Sequence, residues 1–113
     1  MSHTKLFSVH AMERKNQRKI KLDEGLTIDK VLKMPIYKKD RGCIMYLDVK
    51  NNIVYYVRDN VIVTMINTNP IQMLRYYLIG KNQDHKFNCY CRDNLFNRCK
   101  YGDSCKYKHI DYE

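Results

Sequence analysis

Two dipeptides constrain the middle of this chain more than any other feature. Asn51-Asn52 and Asp59-Asn60 separate three short runs: CIMYLDV at 43–49, IVYYVR at 53–58 and VIVTMIN at 61–67. Each run is dense in β-branched and aromatic side chains, which pack well on a pleated surface. Asparagine and aspartate tolerate the left-handed backbone that a two-residue hairpin turn requires. Turns this short join only antiparallel neighbours, so the runs form a meander. IYKK at 36–39 adds a candidate edge strand.

Helical signals flank the meander. In SVHAMERKNQRK, residues 8–19, Ser8 can cap the first turn by accepting from its free amides. The only apolar contact this helix offers is Val9 and Met12; the rest of its surface is wet. Asp23, Glu24 and Gly25 read as a turn. Thr27 then caps a second helix, ended by Pro35, with Ile28, Val31 and Leu32 as a buried stripe. In NPIQMLRYYLIG, residues 69–80, Asn69 caps, Pro70 opens and Gly80 closes a third helix. Ile71, Met73, Leu74, Tyr77 and Leu78 give it an apolar face.

The chain has 113 residues and a formal charge of +9, spread along its length. An anionic partner is expected, although charge also keeps a small protein soluble. No run of about 18 apolar residues occurs, so no membrane association is expected. The first residues, MSHTKLFSVHAMERK, lack the apolar core of a signal peptide, and an intracellular protein is expected. Of the five cysteines, Cys91, Cys99 and Cys105 cluster near His109, a pattern that favours metal over disulfides in a reducing compartment.

The stretch CRDNLFNRCKYGDSCKYKH, Cys91 to His109, spaces its four ligands by gaps of seven, five and three residues. Three thiolates and an imidazole suit one structural Zn²⁺ in a closed tetrahedron. So short a segment cannot build a core of its own, so the metal must supply folding energy. Cys89, two residues before Cys91, is an alternative first ligand. The stretch resembles the CCCH zinc fingers of eukaryotic and viral RNA-binding proteins, in its spacing, in Tyr101-Gly102 and in Tyr107 between the last two ligands. One departure is Asn97, where many members carry glycine; Asn also accepts positive φ. The resemblance implies base stacking on Phe96, Tyr101 and Tyr107, and phosphate contacts from Arg92, Arg98, Lys100 and Lys106. The plain alternative is a structural clip whose rings pack around the ion.

His10, Arg14 and Arg18 stand four residues apart and share one helix face about 12 Å long. Imidazole moves protons near neutrality and guanidinium grips phosphate, although such a face is often only solvated. The order of this helix, a short helix and the meander resembles the RelE- and BrnT-like toxin domains that open on an H-A-x-x-R-x-x-x-R helix. That resemblance implies a barnase–colicin–RelE fold and metal-independent RNA cleavage. On it, His10 acts as general acid or base, Arg14 and Arg18 hold phosphate, and Thr64 matches the last-strand position. Tyr46, Tyr55 and Arg58 are candidates by chemistry alone, Tyr46 sharing a strand face with Asp48.

The sequence therefore predicts an α+β fold: two short helices, a three- to four-stranded antiparallel meander, a third helix and a small C-terminal zinc finger. The expected division is a RelE-like domain at 1–80, a linker at 81–86 and the finger at 87–113. The expected function is an endoribonuclease directed to single-stranded RNA, mRNA in particular, by the finger. The alternative is a non-catalytic zinc-finger RNA-binding regulator. The pairing of modules suggests a viral protein in the cytoplasm or nucleus of a host cell. A protein inhibitor or a homodimer partner stays open.

Overall fold

The computed structural model describes residues 6–18, 20, 22 and 25–112, with Arg14 described through its backbone alone. The Asp23 and Glu24 of the expected turn, Lys19 at the expected helix end and the Arg14 side chain lie outside the described residues.

The elements run α1 (Val9–Arg18), α2 (Ile28–Leu32), β1 (Ile36–Asp40), β2 (Cys43–Asp48), β3 (Ile53–Arg58), β4 (Val61–Asn67) and α3 (Pro70–Gly80). A 3₁₀ helix (Asp84–Cys89), α4 (Arg92–Leu95) and a second 3₁₀ turn (Gly102–Ser104) follow. The fold is α+β. The strands form one antiparallel sheet in the order β1-β2-β3-β4. Asp59 and Asn60 form the expected two-residue turn, with φ of 51° and 60°. β2 ends at Asp48, one residue early, so the β2–β3 connection is the four residues 49–52, and there Asn52 alone takes positive φ, at 56°. Among the described residues, no helix is long and apolar enough to cross a membrane.

The sheet buries both faces. On one side Ile44, Tyr46, Ile53, Tyr55, Val57, Ile62 and Met65 pack with Ala11 of α1 and Val31 of α2. Tyr55 directs its hydroxyl to the buried Asp48 carboxylate at 2.9 Å, and Asn51 donates to the same carboxylate through its amide and side chain. This arrangement ties the β2–β3 turn to the core. On the other side Met45, Leu47 and Val54 meet Met73, Leu74, Tyr77 and Leu78 of α3.

Residues 6–8 run parallel to the β4 edge, with the Ile62 amide donating to Leu6 and the Ser8 amide donating to Ile62. They cover part of an edge that would otherwise present unpaired backbone. Ser8 Oγ then accepts from the Ala11 amide at 3.1 Å, the expected cap. This entry fixes the rotation of α1. The expected contact through Val9 and Met12 is corrected: they are 64% and 41% exposed, and Ala11, at 0%, faces the sheet. A methyl-sized side chain lets the helix backbone approach β4 closely; Val9 and Met12 fall on the turns pointing away. In α2, Thr27 caps through Lys30 as expected and Val31 is fully buried, whereas Leu32 emerges at 38%.

Asn69 Oδ1 accepts from the Gln72 amide at 2.8 Å and Pro70 opens α3, both as expected. At its far end α3 crosses β1 so closely that a Cβ on Gly80 would overlap the Ile36 carbonyl oxygen. Tyr76 stacks on Tyr37 of β1, with centroids 4.4 Å apart. The apolar cluster on this face continues without a break into the C-terminal segment through Phe87, Tyr90, Leu95, Ile110 and Tyr112. Across residues 81–86 the chain turns at Asn82 (φ 56°) and enters the first 3₁₀ helix, which buries Phe87.

Candidate metal centre

The C-terminal segment is folded back on itself by its backbone. The Cys91 amide donates to the Lys108 carbonyl at 2.7 Å, and the Lys108 amide donates to Cys89 at 2.9 Å. This short parallel bridge, Tyr90 beside Lys108, brings the first and last ligand positions together. Between them α4 makes one turn, and the Phe96, Asn97 and Arg98 amides close on Asp93 and Asn94 carbonyls. Asn97 sits at φ 57°, a left-handed conformation that asparagine accepts. The second 3₁₀ turn delivers Cys105, whose amide donates to Gly102.

The ligand atoms of Cys91, Cys99, Cys105 and His109 all lie within 4.8 Å of one another, close enough to hold one metal ion. Cys91 is buried, Cys99 and Cys105 are half-buried and His109 is exposed. Cys89 is exposed and stands outside this cluster, so the choice of Cys91 over Cys89 agrees with the geometry.

The cluster prepares a thiolate. The Tyr101 backbone amide, helped by the neighbouring ligand side chains, lowers the Cys99 thiol from 9.0 to about 7 against the opposing effect of burial. At Cys105 the Tyr107 amide also pulls downward, but burial and the Cys99 and Cys91 thiols outweigh it and hold that group above the usual thiol range. Proximity of like ligands forces this split: one site ionises readily and the next resists a second negative charge.

Aromatic rings and cations alternate around the ligands. Tyr101 is 72% exposed and Tyr107 50% exposed. Lys106 Nζ lies 5.7 Å from the Tyr107 centroid, and the Arg98 guanidinium lies 4.8 Å from that of Phe96. Arg92 and Lys100 are exposed on the same segment. Two open clefts of about 380 and 370 Å³ share Cys91, Asp93 and Tyr107 as lining. All seven expected RNA contacts are thus partly or fully solvent-facing residues of one small segment. Arg75 of α3 escaped the sequence reading: its guanidinium sits 4.4 Å from the Phe87 centroid, and Arg92 lies 5.3 Å from the same ring. Nothing in the local sequence of α3 signals this, because the ring arrives from the following segment.

Of the described members of the expected catalytic set, Thr64 stands across the sheet from the others. His10 and Arg18 are exposed on α1, and Arg18 Nη1 donates to the Met65 carbonyl at 2.6 Å. Tyr46 is 5% exposed within the core on the α1 side. Thr64 pairs with the half-buried Tyr56, whose packing is on the α3 side, so the sheet lies between Thr64 and α1. Arg58 donates to the Arg41 carbonyl at the β1–β2 turn.

No protein-family model, curated protein or solved structure matches this chain significantly.

Proposed function

We propose that this chain is a single-stranded RNA-binding protein whose contact surface is a CCCH-type zinc finger docked on a small α+β domain. The observation that carries the proposal is the convergence of three cysteines and a histidine beneath exposed Tyr101 and Tyr107. Zinc suits this donor set: a tetrahedral site with zinc–sulfur bonds of about 2.3 Å has edges of roughly 3.8 Å, within reach of atoms already this close. Three thiolates and one dication leave a net charge of about −1, which Lys100, Lys106 and Lys108 offset. Three thiolate ligands also need a reducing compartment, in keeping with the cytoplasm or nucleus.

In this reading zinc has a structural role, holding the loops that present the rings. Unpaired bases stack on Tyr101, Tyr107 and Phe96. Arg92, Arg98, Lys100 and Lys106 hold the phosphates on either side. Guanidiniums parked over rings, as at Phe96 and Phe87, are already desolvated on one face and lose less freedom when a phosphate arrives. The proposal does not extend to RNA cleavage, because Tyr46 is buried and Thr64 faces away from the helix that bears His10.

The test is fluorescence anisotropy of labelled single-stranded RNA with zinc-loaded protein, single-stranded DNA as a parallel arm, across a salt series. Tyr101→Ala and Tyr107→Ala should each weaken binding by about 5- to 150-fold, the equivalent of about 1–3 kcal/mol per stacked base. The affinity should fall steeply with salt. Absence of RNA affinity at low salt, or affinity unchanged after the metal is stripped, overturns the proposal.

A further inference from the structure

We infer that a nucleobase pocket adjoins the finger's aromatic surface at Phe96, in the cleft between the β2–β3 turn and residues 94–97; this rests on the RNA-binding reading above. The cleft has a volume of about 470 Å³, within the range of small-ligand sites and ample for one base with its ribose. Asn52 of the turn lines one side, and Asn94, Phe96 and Asn97 line the other. Ile110 and Tyr112 add apolar lining from the tail.

The chemistry of this lining selects its ligand. Three asparagines, Asn52, Asn94 and Asn97, line one space with Lys50 beside them, and among the described residues none of the three asparagine side chains hydrogen-bonds another protein group. Each amide offers two donors and an acceptor with two lone pairs. A phosphate would use only the donors. The edge of a base presents donors and acceptors side by side and uses both. Phe96 is 37% exposed and supplies a ring for the base to stack against, while Arg98 lies over that ring 4.8 Å from its centroid. Among the described residues no carboxylate lines the cleft, so an anionic strand is not repelled from it.

Both walls are braced by backbone turns and hydrogen bonds. Asn52 and Asn97 are fixed in left-handed turns at φ 56° and 57°. The Asn52 turn is anchored to the core through Asn51 and Asp48, and the Asn52 carbonyl accepts from Thr68 at 2.8 Å. The Asn94 carbonyl accepts from the Asn97 amide at 3.1 Å. Phe96 belongs to both surfaces, so a strand lying on the finger continues into the cleft without a gap. The finger surface then supplies affinity, through stacking and phosphates, and the cleft supplies base preference.

The experiment compares the affinities of four RNA homo-oligomers for wild type, for Asn52→Gly and for the double variant Asn94→Ala with Asn97→Gly. Glycine preserves the positive φ at positions 52 and 97, and metal content and near-ultraviolet circular dichroism establish that each variant is folded. Wild type should prefer one base over the others by about two- to tenfold, the worth of one or two net hydrogen bonds. Each variant should flatten that preference while mean affinity falls less than in Tyr101→Ala. Equal affinity of wild type for all four oligomers overturns the pocket, as does a preference that survives in Asn52→Gly and in the double variant. Failure of wild type to bind any oligomer overturns the RNA-binding reading and the pocket with it.

Discussion

Cys91 and Lys108 are paired through their backbones: the Cys91 amide reaches the Lys108 carbonyl at 2.7 Å, and Lys108 hands its own amide back to Cys89. The loop between them therefore closes at its neck by hydrogen bonds and at its centre by metal. These contributions are unequal. A net backbone hydrogen bond is worth about 1 kcal/mol, whereas a structural zinc in a finger peptide contributes roughly 10–16 kcal/mol near neutral pH. Native mass spectrometry should find one zinc per chain, and Cys105→Ser or a chelator should remove it. Amide exchange should then lose its protection across residues 90–109 while β2 and β3 keep theirs. An intact loop without metal would contradict the assignment.

Tyr112 reports on whether the tail is seated. Its ring meets Tyr77 of α3 edge-on, with centroids 4.8 Å apart. Burial first, with the nearby Tyr77 and Tyr90 adding to it, raises its phenol from 10.0 to about 12. The folded state favours the neutral phenol, so this contribution is fully present below pH 10.0 and is lost as pH rises through about 12. A near-ultraviolet phenolate titration, compared with Tyr112→Phe, should show one tyrosine ionising near pH 12. In Cys105→Ser that tyrosine should return toward 10.0 if the metal is what seats the tail. A Tyr112 that titrates normally in the metal-loaded protein would mean that the segment does not pack on α3.

Immediately after chelation, before the loop opens, Cys99 should be alkylated ahead of Cys105 at neutral pH. Its pKa of about 7 leaves roughly half of it ionised there, while Cys105 is held above the usual range. Peptide mapping after brief iodoacetamide treatment reads the order. Because metal displaces the remaining protons, zinc affinity should fall as pH drops, more steeply below about 7, where Cys99 also takes up a proton. Equal labelling of Cys99 and Cys105 at the earliest time point would show that the Tyr101 amide does not lower Cys99.

Most of the scaffold was legible because its signals are local. Asp59-Asn60 sets its turn by local conformation, and β3 and β4 begin and end as the alternation predicts; the turn at Asn51-Asn52 is two residues longer because Asn51 bonds the buried Asp48. Ser8, Thr27 and Asn69 cap their helices through hydroxyl or amide groups that reach only three residues along. The ligand set was legible for the same reason, since spacing alone limits which side chains can meet one ion. Rotation and docking were not. Ala11 displaced Val9 and Met12 as the contact of α1 because residues 6–8, pairing with β4, decide which way that helix faces. The opposed placement of Tyr46 and Thr64 depends on strand register, which sets Tyr46 beside Tyr55 and Tyr55 beside Met65, so that Thr64, the next residue, points to the other face; no residue type announces that register. Arg75 meets Phe87, and Tyr77 meets Tyr112, only because the tail folds onto α3.

Gly80→Ala separates local propensity from tertiary contact by the sign of its effect. Inside a helix, alanine is favoured over glycine by about 1 kcal/mol, because glycine loses more backbone entropy on folding. Gly80 ends α3 without a positive φ, so propensity alone predicts a more stable protein. The tertiary contact predicts the reverse. The new Cβ would be driven into the Ile36 carbonyl oxygen, with the Tyr37 carbonyl oxygen 3.2 Å away, and backbone on a paired strand cannot swing aside like a side chain. Overpacking of this kind costs about 1–3 kcal/mol, enough to exceed the propensity gain. Urea unfolding of the zinc-loaded protein should give a lower midpoint for Gly80→Ala than for wild type, with Tyr37 and Tyr76 fluorescence perturbed where α3 leans on β1. A raised midpoint would show that α3 and β1 do not approach as closely as Gly80 permits.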